Sequence, residues 1–123
     1  LTSSSVIING NIWPTCDHYI FAERCSYLGD KEKIKNTDTY NEAKELLETM
    51  ILRLDWEKRE DMVMMMVLMA HFTQHTEKRD FLLKTYPHLL EDVNDKSRNN
   101  KIGKMCMNIR NHIMAILVEM NEF

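Results

Sequence analysis

Apolar side chains recur every third or fourth residue through most of this chain, a spacing typical of amphipathic helices. Thr39 begins a capping-box pattern and predicts the start of one helix, and Asp55 predicts the start of the next. Thr76 predicts a shorter helix that ends before Pro87, and a final helix is predicted over residues 101–120. The predicted core positions are Ala43, Leu46, Leu47, Met50 and Leu54, then Met62, Met65, Met66, Met69 and Phe72, and finally Ile102, Met105, Ile109, Ile113, Ile116 and Met120.

The first thirty residues follow a different pattern. Residues 6–13 place apolar side chains on both sides of Asn9-Gly10, a dipeptide that tolerates positive φ, and predict a tight β-hairpin. Pro14 suits the first turn of a helix, which we expect to end near Gly29. The inward stripes of that helix are His18, Tyr19, Phe21, Ala22 and Cys25. The whole pattern predicts a mainly α, multihelical domain with a short N-terminal β-hairpin.

Length and charge narrow the class of protein. A chain of 123 residues fits one domain, residues 1–123, and we expect it to be a fragment of a longer protein. The 16 basic and 19 acidic residues give a net charge of 16 − 19 = −3, which argues against broad nucleic-acid binding. The longest apolar run, Met62 to Ala70, is shorter than the roughly 20 residues of a membrane-spanning helix. We therefore expect no membrane association.

Cysteine and histidine positions bear on metal binding and on compartment. Three cysteines are too few and too irregularly spaced for a disulfide framework, so we expect an intracellular protein, cytoplasmic or nuclear. Cys16, Asp17 and His18 are adjacent, and adjacent helical residues point about 100° apart. They cannot converge on one ion, so we predict no metal site and no cofactor.

The Asp17-His18 pair near a helix start has two interpretations. It can supply a carboxylate and a general acid or base for catalysis. It can equally be a capping carboxylate beside a hydrogen-bonded, partly buried histidine. The residue types alone leave both interpretations open.

Four successive segments resemble one known family. "NGNIWPTCDHYIFAERC" is similar to the turn and first helix of the NADAR (YbiA-like) family, where "EH-x-x-x-A-x-K" follows a short turn. The segment "TYNEAKELLETMILRLDWEKREDMVMMMVLMAHFTQHTEKRDFLLKT" resembles the middle blocks, "LLED" the "L-V-E" block, and "NNKIGKMCMNIR" the closing block. Together they span residues 9–110 in the family's order. The resemblance supports the mainly helical fold.

The resemblance also implies an activity. Characterised family members hydrolyse N-glycosidic bonds, some in a phosphoribosyl pyrimidine intermediate of riboflavin biosynthesis and others between ADP-ribose and guanine in nucleic acid. A carboxylate would stabilise the ribosyl cation of such a reaction. By position, the resemblance assigns to the site Asp17 for the family Glu, His18 for its His, Arg24 for its Lys, His71 for a second Lys, Glu91 for the Glu of "L-V-E", and Asp95 for the Asp of a "D-x-x-W-G" loop.

Departures from the family pattern shape the functional expectation. Asp17 is one methylene shorter than Glu, Arg24 cannot deprotonate, His71 replaces a lysine, and no Trp-Gly follows Asp95. From these changes we expect a catalytically degenerate domain without N-glycosidase turnover or catalytic residues. We expect it to serve as an interaction module whose partner is another protein.

Two alternatives use the same pocket. In an active N-glycosidase, Asp17 would stabilise the ribosyl cation, Glu91 or His18 would move protons, and Arg24 would hold a phosphate. In a non-catalytic nucleotide or ADP-ribose binder, Arg24, His71 and Asp95 would contact the ligand. ADP-ribose and ribose phosphates are therefore alternative partners.

Overall fold

The computed structural model describes residues 4–92 and 99–120 of the chain. Within these ranges the chain forms a two-stranded antiparallel sheet and six helices, which confirms the mainly α class with an N-terminal hairpin. The chain divides into two compact units, Leu1–Gln74 and His75–Phe123. The prediction of a single domain over residues 1–123 is not tested by this division and stays a prediction.

The predicted hairpin is confirmed. Strands β1 (Val6–Ile8) and β2 (Asn11–Trp13) pair antiparallel, with Val6 opposite Trp13. Asn9 and Gly10 connect them with φ values of 52° and 81°, as a two-residue turn with two left-handed positions requires. Buried Val6 and Trp13 attach one face of the hairpin to the core.

Helix α1 (Cys16–Arg24) begins two residues after Pro14, which therefore lies before the helix rather than in its first turn, and it ends earlier than Gly29. Thr15 caps it, because the Thr15 hydroxyl accepts a hydrogen bond from the backbone N–H of His18 at 3.2 Å. The predicted inward residues His18, Tyr19, Ala22 and Cys25 are buried. The helix ends where Cys25 turns extended and forms a β-bridge with Leu52.

The polar stretch after α1, expected as a loop or short helix, is helix α2 (Leu28–Lys35). Helix α3 (Tyr40–Leu47) has the predicted Thr39 cap, whose hydroxyl accepts from the Glu42 N–H at 3.1 Å. The extension of its stripe to Leu54 is wrong. The helix ends at Leu47 and Leu54 is fully exposed, because residues 51–53 leave the helix to bridge residues 24–26.

Helix α4 (Trp56–Gln74) forms as predicted, but its methionine stripe is not the core face. The buried residues are Val63, Val67, Leu68 and His71, whereas Met62 is 51% exposed. This helix is apolar on several sides, so its sequence does not specify which face packs inward. The β-branched residues Val63 and Val67 take the buried positions in the core of the first unit.

The methionines of α4 instead line an apolar groove beside the hairpin. Its volume is about 640 Å³, and its walls are Ile7, Ile8, Asn9, Met62, Met65, Met66, Met69, Ala70 and Thr73. The Gln74 side chain holds β1 at one end: it accepts from the Ile7 N–H and donates to the Ile7 carbonyl, both at 2.7 Å. The hairpin and α4 therefore form a fixed pair.

The second unit contains helices α5 (Thr76–Lys84) and α6 (Lys101–Glu119). The long final helix is confirmed, and Ile109 and Ile113 of its predicted face are buried, whereas Ile116 and Met120 are exposed. Arg110, between Ile109 and Ile113 in the sequence, is also buried. Its guanidinium donates to the Thr85 hydroxyl and the His88 carbonyl, each at 2.8 Å. These bonds attach the segment after α5 to α6.

Two further observations concern the described residues as a set. No helix among them combines the length and the apolar character that a membrane crossing requires. In residues 4–92 and 99–120, no group of three or more His, Cys, Asp or Glu side chains is placed to hold a metal ion.

Candidate functional site

One face of α1 stays half-buried rather than packed, and it carries the residues that the sequence singled out. Asp17, Ile20, Phe21 and Arg24 all lie on this face. Seven residues separate Asp17 from Arg24, which places them about 20° apart around the helix and about 10.5 Å apart along it. The α1 face, as we call these four residues, therefore presents a carboxylate and a cation side by side.

Partial burial changes the electrostatics of Asp17. Desolvation raises the pKa of this carboxyl above its ordinary value, and the neighbouring His18 opposes the shift. A carboxylate in a poorly solvated position interacts more strongly with a nearby positive charge than one in water. Asp17 is thus suited to stabilising a cation.

Arg24 is oriented by contacts at both its backbone and its side chain. The Arg24 carbonyl accepts a hydrogen bond from the Arg53 N–H at 2.8 Å, next to the bridge between Cys25 and Leu52. Its guanidinium carbon lies 5.8 Å from the ring centroid of Trp56, a cation–π distance. Its buried Nε has no hydrogen-bond partner among the described residues. Trp56 therefore orients the guanidinium, and an anion can be bound only by its two outer nitrogens, because the Nε is buried.

An ion pair next to Arg24 fastens α1 to α4. The Arg59 guanidinium donates to the Glu23 carboxylate at 3.2 Å, and both side chains are mostly shielded from water. Since Trp56 and Arg59 lie one turn apart, the first two turns of α4 hold both Glu23 and Arg24. Sequence reasoning missed both contacts, because neither has a local spacing signal.

His18 points away from the α1 face and into the protein. It is fully buried, and its Nδ1 lies 2.7 Å from the Thr15 hydroxyl oxygen. Burial lowers the pKa of His18 below its ordinary value, although the backbone of Thr37 acts in the opposite direction. The position is that of a hydrogen-bonded interior histidine, and the alternative of His18 as a proton carrier stays a prediction without geometric support.

The burial of His18 predicts a pH-dependent stability. Below about pH 6.5 the unfolded chain binds a proton at this histidine, whereas the folded chain, with its lowered pKa, does not. The free energy of unfolding should therefore fall as pH drops from 6.5 towards the folded pKa, with a slope of up to about 1.4 kcal/mol per unit. Urea titrations across pH 5–8 give the free energy of unfolding of the unmodified chain and of His18→Gln. The difference between the two pH profiles is the contribution of His18.

The matched control is His112→Gln, which makes the same change at an exposed position of α6. It should keep the pH dependence of the unmodified chain. Equal pH dependence in His18→Gln and the unmodified chain would contradict the assignment of a buried neutral histidine.

His71, predicted to bind ligand, lies in the interior on α4. It is 3% exposed, and its Nδ1 is 3.7 Å from the Cys16 sulfur. Burial raises the pKa of the Cys16 thiol to about 11, so this sulfur stays protonated at neutral pH. The prediction of a ligand contact by His71 is untested, and the observed partners are those of a packed side chain.

Glu91 and Asp95, the remaining predicted residues, belong to the second unit. Glu91 is exposed in the segment after α5. Its neighbours are fixed, because the Asn100 side chain accepts from the Asp92 N–H at 2.8 Å and donates to the Leu90 carbonyl at 2.6 Å. Asp95 lies outside the described residues. The roles of both stay predictions.

Comparison with known proteins identifies relatives over most of the chain. N-glycosidase YbiA of Shigella flexneri is 31% identical over 121 aligned residues, which cover 86% of this chain and 74% of the relative. N-glycosidase YbiA of Escherichia coli is 28% identical with the same coverage, and an N-glycosidase of Nostoc punctiforme is 28% identical over 89% of this chain and 80% of its own. The NMR structure of E. coli YbiA matches 95% of this chain and 77% of that one, with a TM-score of 0.84 and 27% identity.

These relatives correct the functional expectation. All three are named N-glycosidases, which contradicts the prediction of a catalytically degenerate protein-interaction module. The prediction counted each replacement as a loss, but Asp17 keeps a carboxylate and Arg24 keeps a positive charge on the same half-buried face. The profile of the NADAR domain matches residues 2–98. With most of its length matched in this way, the chain belongs to the NADAR family.

Proposed function

We propose that this chain is an N-glycosidase that hydrolyses the bond between a ribosyl C1 and the nitrogen of a heterocyclic base. The observation that carries the proposal is the pairing of Asp17 and Arg24 on the α1 face, two helical turns apart. The names of the relatives favour the same activity.

The reaction needs a negative charge where the sugar becomes positive. As the C1–N bond breaks, its electron pair leaves with the base and C1 takes on oxocarbenium character. The Asp17 carboxylate, poorly solvated on the α1 face, stabilises that charge more in the transition state than in the ground state. A water molecule then adds its oxygen to C1, and its proton balances the charge on the departing base.

Arg24 supplies the second recognition element. Its guanidinium, held over Trp56, suits a phosphate oxygen of the substrate through its two outer nitrogens. Asp17 and Arg24 carry opposite charges at positions about 10.5 Å apart along α1, and a ribosyl group with a 5′-phosphate or diphosphate has its reacting C1 and its anion at opposite ends. We therefore propose ribose-phosphate substrates, with ADP-ribosyl groups as one form.

Turnover on two substrates tests this function. Purified chain is incubated with a phosphoribosylaminopyrimidine and with DNA bearing ADP-ribosylated guanine, and release of the free base or ADP-ribose is followed by chromatography. We expect hydrolysis of at least one substrate, and we expect Arg24→Gln to raise KM more than it lowers kcat, because Arg24 acts in binding. Absence of turnover on both would contradict the proposal.

The control for Arg24 is Arg79→Gln, which removes a half-exposed guanidinium from α5 that pairs with the adjacent Asp80. It should leave KM unchanged. Equal KM values in Arg24→Gln and the unmodified chain would exclude Arg24 from substrate binding.

A further inference from the structure

An aromatic pair lies directly beside Asp17 on the α1 face. Phe21 follows Asp17 by one helical turn, so their side chains are neighbours on the helix surface. The Phe21 ring packs on the Tyr40 ring with centroids 5.5 Å apart and planes inclined at 48°. Phe21 is half-buried against the core of the first unit, whereas Tyr40 is 41% exposed. The pair thus has a supported inner ring and an open outer ring.

The position of Tyr40 is fixed by local structure. It is the first residue of α3, directly after the Thr39 cap, and Glu42 also accepts from the Asp38 N–H at 3.3 Å. An aromatic ring on a capped helix start loses little conformational freedom when a ligand covers it. The exposed ring of Tyr40, close to the Asp17 carboxylate in the first unit, is therefore suited to contact with a flat ligand.

We propose that Tyr40, backed by Phe21, is the platform on which the leaving base stacks. This inference rests on the proposed N-glycosidase function, and it assigns a base-contacting role to a residue that sequence reasoning did not select. Around α1, Phe21 lies about 40° to one side of Asp17 and Arg24 about 20° to the other, and along the axis the two residues follow Asp17 by about 6 Å and about 10.5 Å. A substrate with its C1 at Asp17 can therefore direct its base towards Tyr40 and its phosphate towards Arg24.

The ligand class that follows is a planar aromatic heterocycle attached to a ribose phosphate. Stacking uses the π-face that every base has, so Tyr40 should contribute to affinity for purines and pyrimidines alike. It should contribute nothing to the affinity for the sugar phosphate alone. The platform would supply an aromatic surface from α3, whereas the Trp of the family's "D-x-x-W-G" pattern has no counterpart after Asp95.

Two probes separate stacking from phosphate binding. Calorimetric titrations with guanosine 5′-monophosphate and with ribose 5-phosphate are made on the unmodified chain, Tyr40→Ala, Tyr40→Leu and Tyr40→Phe. We expect Tyr40→Ala and Tyr40→Leu to raise Kd for the nucleotide about tenfold and to leave Kd for ribose 5-phosphate unchanged. Tyr40→Phe keeps the ring and should bind both probes as the unmodified chain does.

The matched control is Tyr27→Ala, since Tyr27 precedes α2 as an exposed tyrosine that is not one of the α1 face residues. It should change neither affinity. Thermal melting of each variant verifies that it is folded. If Tyr40→Ala does not fold, Tyr40→Leu takes its place in the test, because leucine retains apolar packing on Phe21. Unchanged nucleotide affinity in the Leu variant, an equal loss for both probes, or no nucleotide binding by the unmodified chain would overturn the platform.

Turnover distinguishes this failure from failure of the proposed function. Suppose that Tyr40→Leu loses affinity for the nucleotide only, and that the unmodified chain hydrolyses neither substrate. This result would support the stacking platform and contradict the proposed activity. If Tyr40→Leu and the unmodified chain hydrolyse substrate with the same KM, the stacking platform would be contradicted and the proposed activity supported.

Discussion

Replacing Asp17 by Asn should lower kcat/KM for N-glycoside hydrolysis by about 10²–10³-fold, the loss typical of removing one group that stabilises charge in a transition state. Asn has nearly the same size as Asp, so the α1 face should keep its shape. It lacks the negative charge that the ribosyl cation needs. Because this charge acts on the transition state, we expect most of the loss in kcat rather than in KM.

Two controls make the Asp17 result specific. Asp17→Glu keeps the carboxylate and should lose far less activity than Asp17→Asn. Asp30→Asn makes the same change in the first turn of α2, also at a half-buried position, and should leave kcat/KM unchanged. If Asp17→Asn turned over substrate at the rate of the unmodified chain, Asp17 would have no catalytic role.

The largest loss of stability is expected from Ile34→Ala, which should lower the free energy of unfolding by about 2–5 kcal/mol. Helix α2 is polar apart from Leu28 and Ile34, and Ile34 is completely buried in the core of the first unit. Truncation removes buried apolar surface and leaves a cavity where α2 contacts α1 and α3. Urea denaturation, with the m-value checked for two-state behaviour, measures the change.

Leu28→Ala is the matched control, since Leu28 lies in the same helix but is 77% exposed. Its substitution should change the free energy of unfolding by less than about 0.5 kcal/mol. Similar losses for the two variants would mean that Ile34 does not anchor α2.

Several features of the fold follow from local sequence rules. Asn9-Gly10 specifies the hairpin turn because both positions need positive φ, and Thr39 specifies the start of α3 because its hydroxyl accepts from Glu42. The inward residues of α1 follow from helical spacing alone. These predictions hold because each depends on backbone preference within a few residues.

The candidate site could be predicted only in part. Asp17 and Arg24 were identified from the resemblance, and helical spacing places them on one face. That Trp56 lies under Arg24, that Tyr40 packs on Phe21, and that His71 packs against Cys16 are contacts between separate elements. No local spacing encodes such contacts, so the sequence could name candidates without showing which are open to a ligand.

The sequence by itself determined the hairpin, the helix start at Thr39, the long final helix and the family. Only the tertiary structure decided that Val63 and Val67, rather than the methionines, form the buried face of α4, because that helix has apolar side chains on several sides. It also decided that Phe21, which the spacing predicted as an inward residue of α1, stays half-buried in contact with Tyr40. The physical reason is that periodicity fixes which residues share a face, whereas packing against other elements selects the face that is removed from water.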